Sequence, residues 1–255
     1  MQNKFIEYNS GNLFQYVQGR GDCLTFLHGF TLNHNQWRPQ IKHFIKTNKI
    51  LVYDLRGFGK SSTPIKPYSH HSDLKALLDF NKIVKTNIVA SSLGGEMAIN
   101  FTLAYPDYVN SLILIDSSLD GFTCNVDWNV HAKELGLLTA KQNWLNHDVF
   151  KSTIKNEKIF PLLKKMVNNY SGWHWLHEDL HEKIIPPAIE RLQNIKIPVL
   201  ILVGEKDLSY YHDISEVLLK KITNSKKMII PDSGHLPNLE KPEEINKSIS
   251  DFIDL

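Results

Sequence analysis

Six short, uninterrupted apolar runs recur along this chain, separated by longer amphipathic stretches, and that alternation constrains the fold more than any other feature. The runs are Cys23–Leu27, Ile50–Tyr53, Asn87–Ala90, Ser111–Ile115, Val199–Val203 and Lys227–Ile230. They lack the polar alternation of a half-solvated strand, so they read as strands buried on both faces of a mainly parallel sheet. Helical spacing fills the gaps. Met97, Phe101, Ala104 and Tyr105 share a face, as do Ile214, Val217, Leu218 and Ile222, and then Ile245, Ile249, Phe252 and Ile253, with Pro242 suited to a first helical turn. Near the N-terminus, Phe5–Tyr8 and Leu13–Val17 alternate and flank Asn9-Ser10-Gly11-Asn12, which predicts a hairpin at the sheet edge. Alternating strands and helices of this kind define an α/β fold with helices on both faces of the sheet.

The rhythm breaks once. From Leu119 to Arg191 no convincing strand run occurs, and the stretch is rich in Trp, His and Lys. It reads as a helical lid (119–191) inserted into a core made of 1–118 and 192–255. The 255 residues suffice for such a domain, and 42% hydrophobic with 22% charged residues suits a soluble globular protein with a sizeable core. A net charge of +2, from 29 basic and 27 acidic residues, provides no strong field for nucleic acid. The pairs Lys220-Lys221 and Lys226-Lys227 are too short to track phosphates and fit a solvated face. Met1 to Asn12 is polar, without a signal-peptide core, and no apolar stretch approaches the roughly 20 residues that span a bilayer. Of the two cysteines, Cys23 opens an apolar run and reads as a small hydrophobe; nothing requires a disulfide with Cys124. The simplest expectation is a soluble cytoplasmic protein, monomer or homodimer, with no membrane or nucleic-acid partner.

The chemistry is carried by Ala90-Ser91-Ser92-Leu93-Gly94-Gly95, which follows a strand run and opens an amphipathic helix. A serine at such a strand-to-helix elbow is held in a strained turn that requires small residues two before and two after it. Centring on Ser92 puts Ala90 and Gly94 at those positions; centring on Ser91 puts Val89 and Leu93 there and crowds the turn. Ser92 is therefore the expected nucleophile, with Ala90 standing where glycine is usual. A serine needs a base and an orienting acid. Asp207, in Gly204-Glu-Lys-Asp207, and His235, in Ser233-Gly-His235, each follow a strand run, in the order Ser, Asp, His, at the strand ends where ligands gather in α/β sheets. His28-Gly29-Phe30 follows the strand Cys23–Leu27, so the Phe30 N–H, with that of Leu93, is expected to form an oxyanion hole, and His28 to hold this loop.

At these residues the chain resembles the α/β-hydrolase superfamily. Phe26-Leu-His-Gly-Phe30, Asp54-Leu-Arg-Gly-Phe-Gly-Lys-Ser61, the elbow at Ser92, Gly204-Glu-Lys-Asp207 and Gly234-His-Leu-Pro-Asn-Leu-Glu240 look like its landmarks, and the likeness covers essentially the whole chain. In style it is similar to lidded bacterial esterases and enol-lactonases. The resemblance implies an eight-stranded sheet, a helical lid after the sixth strand, and a Ser-Asp-His triad without metal or organic cofactor. Relatives that use Asp as nucleophile are disfavoured because Ser92 holds that position. Some relatives place the acid after the sixth strand, which leaves Asp116 and Asp120 as alternatives to Asp207. The expected activity is hydrolysis of a carboxylic ester or lactone of a small to medium, mainly apolar substrate. C–C bond hydrolysis, thioester or N-terminal proline cleavage, and a non-turnover sensor on the same fold are the alternatives.

Other signals carry less. His177-Glu-Asp-Leu-His181 matches a zinc-binding helix pattern, but Pro186 follows closely and no third ligand is evident, so exposed helix residues are expected there. His70-His71 reads as a surface pair. Trp128, Trp144, Trp173 and Trp175 lie in the insertion and read mainly as core, with Trp173 and Trp175 the expected substrate contacts because Ser171-Gly172 sets them in a loop.

Overall fold

A computed structural model describes residues 2–123 and 126–253. Cys124 lies outside the described residues, while Cys23 is buried in the core, as its apolar surroundings predict. Eight strands form one sheet in the order β1-β2-β4-β3-β5-β6-β7-β8. They are β1 (Gln2–Tyr8), β2 (Gly11–Gln18), β3 (Cys23–Leu27), β4 (Lys49–Tyr53), β5 (Thr86–Ser91), β6 (Val109–Ile115), β7 (Val199–Gly204) and β8 (Ser225–Ile230). The first two form the predicted edge hairpin, antiparallel with each other and with β4, and all later pairings are parallel. The hairpin turns on Asn9 and Ser10, both at positive φ (48° and 59°), the conformation that matches strand twist in a two-residue turn.

Each central strand divides its residues between two cores, because successive side chains point to opposite faces. Leu24, Phe26, Ile50, Val52, Val89, Ile113, Leu200 and Leu202 pack beneath α1 (Arg38–Phe44) and the C-terminal helix Pro242–Ile253, through residues such as Phe44, Ile245 and Ile249. Their neighbours Leu27, Leu51, Ile88, Leu112, Leu114 and Ile201 face α2 (His70–Phe80), α3 (Leu93–Ala104) and α8 (Ser209–Lys221). The run at β8 departs from the expectation of burial on both faces. As the last strand of the sheet it pairs only with β7, and Met228 and Ile229 remain 46% and 42% exposed.

His70 also departs from its sequence reading. It is buried, not a surface residue, because it heads the inward stripe His70, Asp73, Leu74, Leu77 and Leu78 of α2. Burial pushes its pKa well below the usual histidine value, and its ring packs 5.1 Å from that of His181. Asp73 in the same stripe is neutralised by a bidentate ion pair with Arg56, at 2.7 and 2.8 Å. Between β6 and β7 come α4 (Ala132–Leu135), α5 (Leu137–Leu145), α6 (Phe160–Asn169) and α7 (Trp173–Leu176). Among the described residues no helix is long and apolar enough to cross a membrane.

The chain leaves β3 for β4 on one side and returns to place β5 on the other side of β3. The carboxyl ends of β3 and β5 therefore border the crevice where the winding reverses, the usual ligand position in such sheets.

Candidate active site

Ser92 sits at that crevice, between the end of β5 and the first turn of α3. Its φ of 53° and ψ of −122° make it the strained elbow predicted from its neighbours. The strain is held by backbone bonds: its N–H donates to Ile115 O (3.1 Å), and its C=O accepts from Gly95 N (2.8 Å) and Ser118 N (3.0 Å). Glycine is required at Gly94, where a Cβ would lie 2.5 Å from Leu27 O and 2.6 Å from His28 O. Ala90 is fully buried, so a small residue suffices at the other flank. Ser92 lines a cavity of about 290 Å³. Ser91 is buried beneath it and does not line the cavity.

His235 lines the same cavity, on the loop after β8. Its Nδ1 lies 2.8 Å from Asp207 Oδ2, and both side chains are almost wholly buried. A carboxylate only accepts, so Nδ1 carries the hydrogen and Nε2 is left as the basic nitrogen. Asp207 is aimed by its other oxygen, which accepts the Leu208 N–H at 2.8 Å. Glu240 fixes the histidine loop, taking hydrogen bonds from the Gly234 N–H (2.9 Å) and from the Ser152 and Thr153 hydroxyls (2.7 and 2.5 Å) of the insertion.

The alternative acids fall in different places. Asp116 stands close behind Asp207, since one ligand atom from each of Asp116, Asp207 and His235 lies within 4.8 Å of the others. Asp116 accepts the Gly204 N–H at 2.9 Å, and burial, reinforced by the Asp207 charge, pushes its pKa well above the carboxylate range. The partner bonded to the imidazole is Asp207. Asp120 instead accepts the Ala188 N–H at 3.0 Å.

The β3 loop approaches from the other side. His28 is buried, and its Nε2 accepts the Leu55 N–H (3.0 Å), so its Nδ1–H donates to Gly29 O (2.8 Å). Burial lowers its pKa, and it acts as the neutral tie that was expected to hold this loop. Gln36 Oε1 accepts the Gly29 N–H (2.9 Å). Among the described residues, neither the Phe30 N–H nor the Leu93 N–H donates to an acceptor. Both residues line the cavity.

The cavity wall is aromatic. Trp175 lines it, as expected, but Trp173 does not: it stacks on His177 at 5.6 Å. Two positions apart on a helix differ by about 200°, so the single turn α7 turns these side chains to opposite sides. Trp128 and Trp144, read mainly as core, line the wall as well, and Trp144 Nε1 donates to Thr31 Oγ1 at 2.7 Å. Tyr211 was not foreseen. Its ring centroid lies 4.2 Å from that of His235, and its hydroxyl faces Ser92 and Ser118. Burial, then the Asp207 charge, pushes that phenol well above its usual pKa and keeps it a hydrogen-bond donor. Glu96, one turn beyond Ser92, was also missed and lines the cavity too. His177-Glu-Asp-Leu-His181 follows α7 in a non-helical stretch, so the helical spacing of its zinc-binding reading is not realised; His181 is partly buried against Tyr68 and His70.

The alpha/beta hydrolase fold family model matches residues 23–188. The chain belongs to the α/β-hydrolase family. It is 27% identical to an AB hydrolase superfamily protein of Bacillus subtilis, covering 94% of each chain. It is 26% identical to a 3-oxoadipate enol-lactonase of Acinetobacter baylyi, covering 93% of this chain and 91% of that one. In structure it is similar to a thermophilic esterase from Thermogutta terrifontis, with a TM-score of 0.86 at 24% identity over 100% of this chain and 98% of that one. The enol-lactonase from Burkholderia xenovorans shares the fold at a TM-score of 0.81 and 19% identity, over 99% and 100%.

Proposed function

We propose that the protein is a serine hydrolase that cleaves a carboxylic ester or lactone of a small to medium, mainly apolar substrate, through Ser92, His235 and Asp207. The observation that carries this reading is the cavity itself. One aromatic-walled space of about 290 Å³ contains a serine held at an elbow and a histidine whose far nitrogen is bonded to a buried carboxylate. Relatives named as esterases and enol-lactonases support it.

In this mechanism His235 Nε2 takes the Ser92 proton as Oγ attacks the substrate carbonyl carbon. Asp207 holds the imidazole in its productive tautomer and offsets the positive charge that develops on it. The Phe30 and Leu93 amides bind the tetrahedral oxyanion, and their fixed dipoles stabilise it because they need no reorganisation as charge develops. His235 then protonates the departing alkoxide, activates water, and returns the proton to Ser92 as the acid leaves. The insertion serves as the lid, excluding bulk water with its aromatic side chains. No step requires a metal or an organic cofactor.

Turnover of a panel of p-nitrophenyl esters and lactones tests the reading. Ser92→Ala is expected to lower kcat on the order of 10⁴-fold or more, as triad knockouts do. Ser91→Ala should retain most of it. Normal turnover by Ser92→Ala would refute the assignment.

A further inference from the structure

The cavity holds one carboxyl that the hydrolytic mechanism does not use. Glu96 is on α3, one turn after Ser92, and among the described lining residues it is the sole carboxyl; no Lys or Arg joins it there. Among the described residues, no side chain forms a hydrogen bond or ion pair with its carboxyl group. Its surroundings make it costly to ionise. Burial, then the negative charge of Asp120, raises its pKa from 4.5 to about 7.

Glu96 is half-buried with its carboxyl open to the cavity, and without a partner among the described residues it is left to solvent or to a bound ligand to complete it. Three structural carboxylates elsewhere are matched: Asp73 by Arg56, Asp54 by the amides of His34 and Lys60, and Glu240 by an amide and two hydroxyls. Glu96 alone of these faces the substrate space, and the walls around that space include Phe30, Trp128, Trp175 and Tyr210. A carboxylate set among aromatic faces is the usual composition of an ammonium site, since ring quadrupoles and the negative charge both attract a cation and neither attracts an anion. A neutral apolar substrate would leave the carboxyl unmatched, and a carboxylate-bearing substrate would be repelled by it.

We propose that Glu96 is a specificity-determining residue that selects substrates carrying an ammonium group, so that the scissile ester or lactone belongs to a small cationic molecule. The proposal rests on the serine-hydrolase reading for where bond cleavage occurs, but not for the binding preference. The cation sits beside the Glu96 carboxylate, the apolar body of the substrate lies along the aromatic wall, and the carbonyl reaches Ser92.

Two pairs of esters of matched shape test it, because the members of each differ only in charge. In one pair the charge is on the alcohol side (butyrylcholine against 3,3-dimethylbutyl butyrate). In the other it is on the acyl side (methyl 4-trimethylammoniobutanoate against methyl 5,5-dimethylhexanoate). In at least one pair, kcat/KM of wild-type protein should favour the cationic ester by tenfold or more, and Glu96→Gln should reduce that ratio at least tenfold. The same preference should appear without turnover in the Kd of each ester for Ser92→Ala protein, read from tryptophan fluorescence. Equal or better use of the neutral member in both pairs, or an unchanged ratio in Glu96→Gln, overturns the proposal while leaving the hydrolase reading intact. Cation preference in Kd without any ester turnover would instead sustain the proposal and refute the hydrolase reading.

Discussion

The sheet and the helical insertion hold the same cavity by different means. On the sheet side, hydrogen bonds to the backbone fix each group of the proposed triad: Ser92 through Ile115, Gly95 and Ser118, Asp207 through Leu208, and the His235 loop through Glu240. On the insertion side, α4 and α7 are four residues long, and the wall is held by ring contacts such as Phe30 with Trp144, Tyr170 and Trp175, 5.8–6.1 Å between centroids. Backbone networks tolerate no displacement, whereas packed rings can be exchanged for others of similar volume. On the proposed reading, the reacting geometry belongs to the sheet, and the choice of substrate belongs to the insertion and to Glu96 beneath it.

The largest effect that sharpens this contrast is expected at the strand ends. Asp207→Asn should lower kcat about 10⁴-fold, as loss of the correct histidine tautomer does in triad enzymes generally, with KM little changed. A loss below about 10²-fold would mean that Asp116, immediately behind, takes over the bond to His235.

Next comes Glu96, where the effect is on stability and depends on pH. The folded chain holds this proton up to about pH 7, whereas an ordinary glutamate loses it near 4.5. Between those values the folded state binds more protons, so stability falls as pH rises through the window. Glu96→Gln removes that dependence. Relative to wild type it should gain up to about 3 kcal/mol between pH 4.5 and pH 7, read from urea unfolding at each pH. Parallel stability curves for the two proteins would show that the carboxyl is already matched.

The smallest effect should come from the insertion. Trp175→Ala is expected to raise KM roughly tenfold, equivalent to about 1.4 kcal/mol of lost binding, with kcat preserved to within a few-fold. Trp173→Ala, turned away from the cavity, should shift KM by less than about twofold. Equal effects at both would break the assignment of the wall.

The same division explains what could be read from the sequence. Strands β3 to β7 were legible because burial on both faces leaves continuous apolar runs, and the elbow was legible because its steric demand falls on named positions, Ala90 and Gly94. The β8 run misled because nothing in Lys227–Ile230 says that it ends the sheet. His70 misled by residue type. Its helical stripe with Leu74, Leu77 and Leu78 was present in the spacing, but a histidine and Asp73 occupy two of the inward positions, and the cation that matches the aspartate, Arg56, lies on a distant loop. In the insertion, core and cavity wall use the same residues, so Trp128, Trp144, Trp173 and Trp175 could not be sorted by type. Position on the one-turn helix α7 separates the last two, and Gly172 just before it was the available signal. Glu96 was hidden within the apolar run of α3, where a carboxyl at helical spacing from the nucleophile could have been noticed as a group in need of a partner. Tyr211 left no comparable mark, because its closeness to Ser92 arises from α8 following β7 at the same end of the sheet, one strand beyond β6 from β5.

The central claim is that Ser92, activated by His235, attacks an acyl carbon. Its most direct test is covalent capture: incubation with a small fluorophosphonate, followed by intact mass and peptide mapping. One adduct per chain on Ser92 is predicted, unchanged in Ser91→Ala and lost in Ser92→Ala and His235→Ala. Labelling of Ser91, or Ser92 labelling at an undiminished rate in His235→Ala, would contradict it.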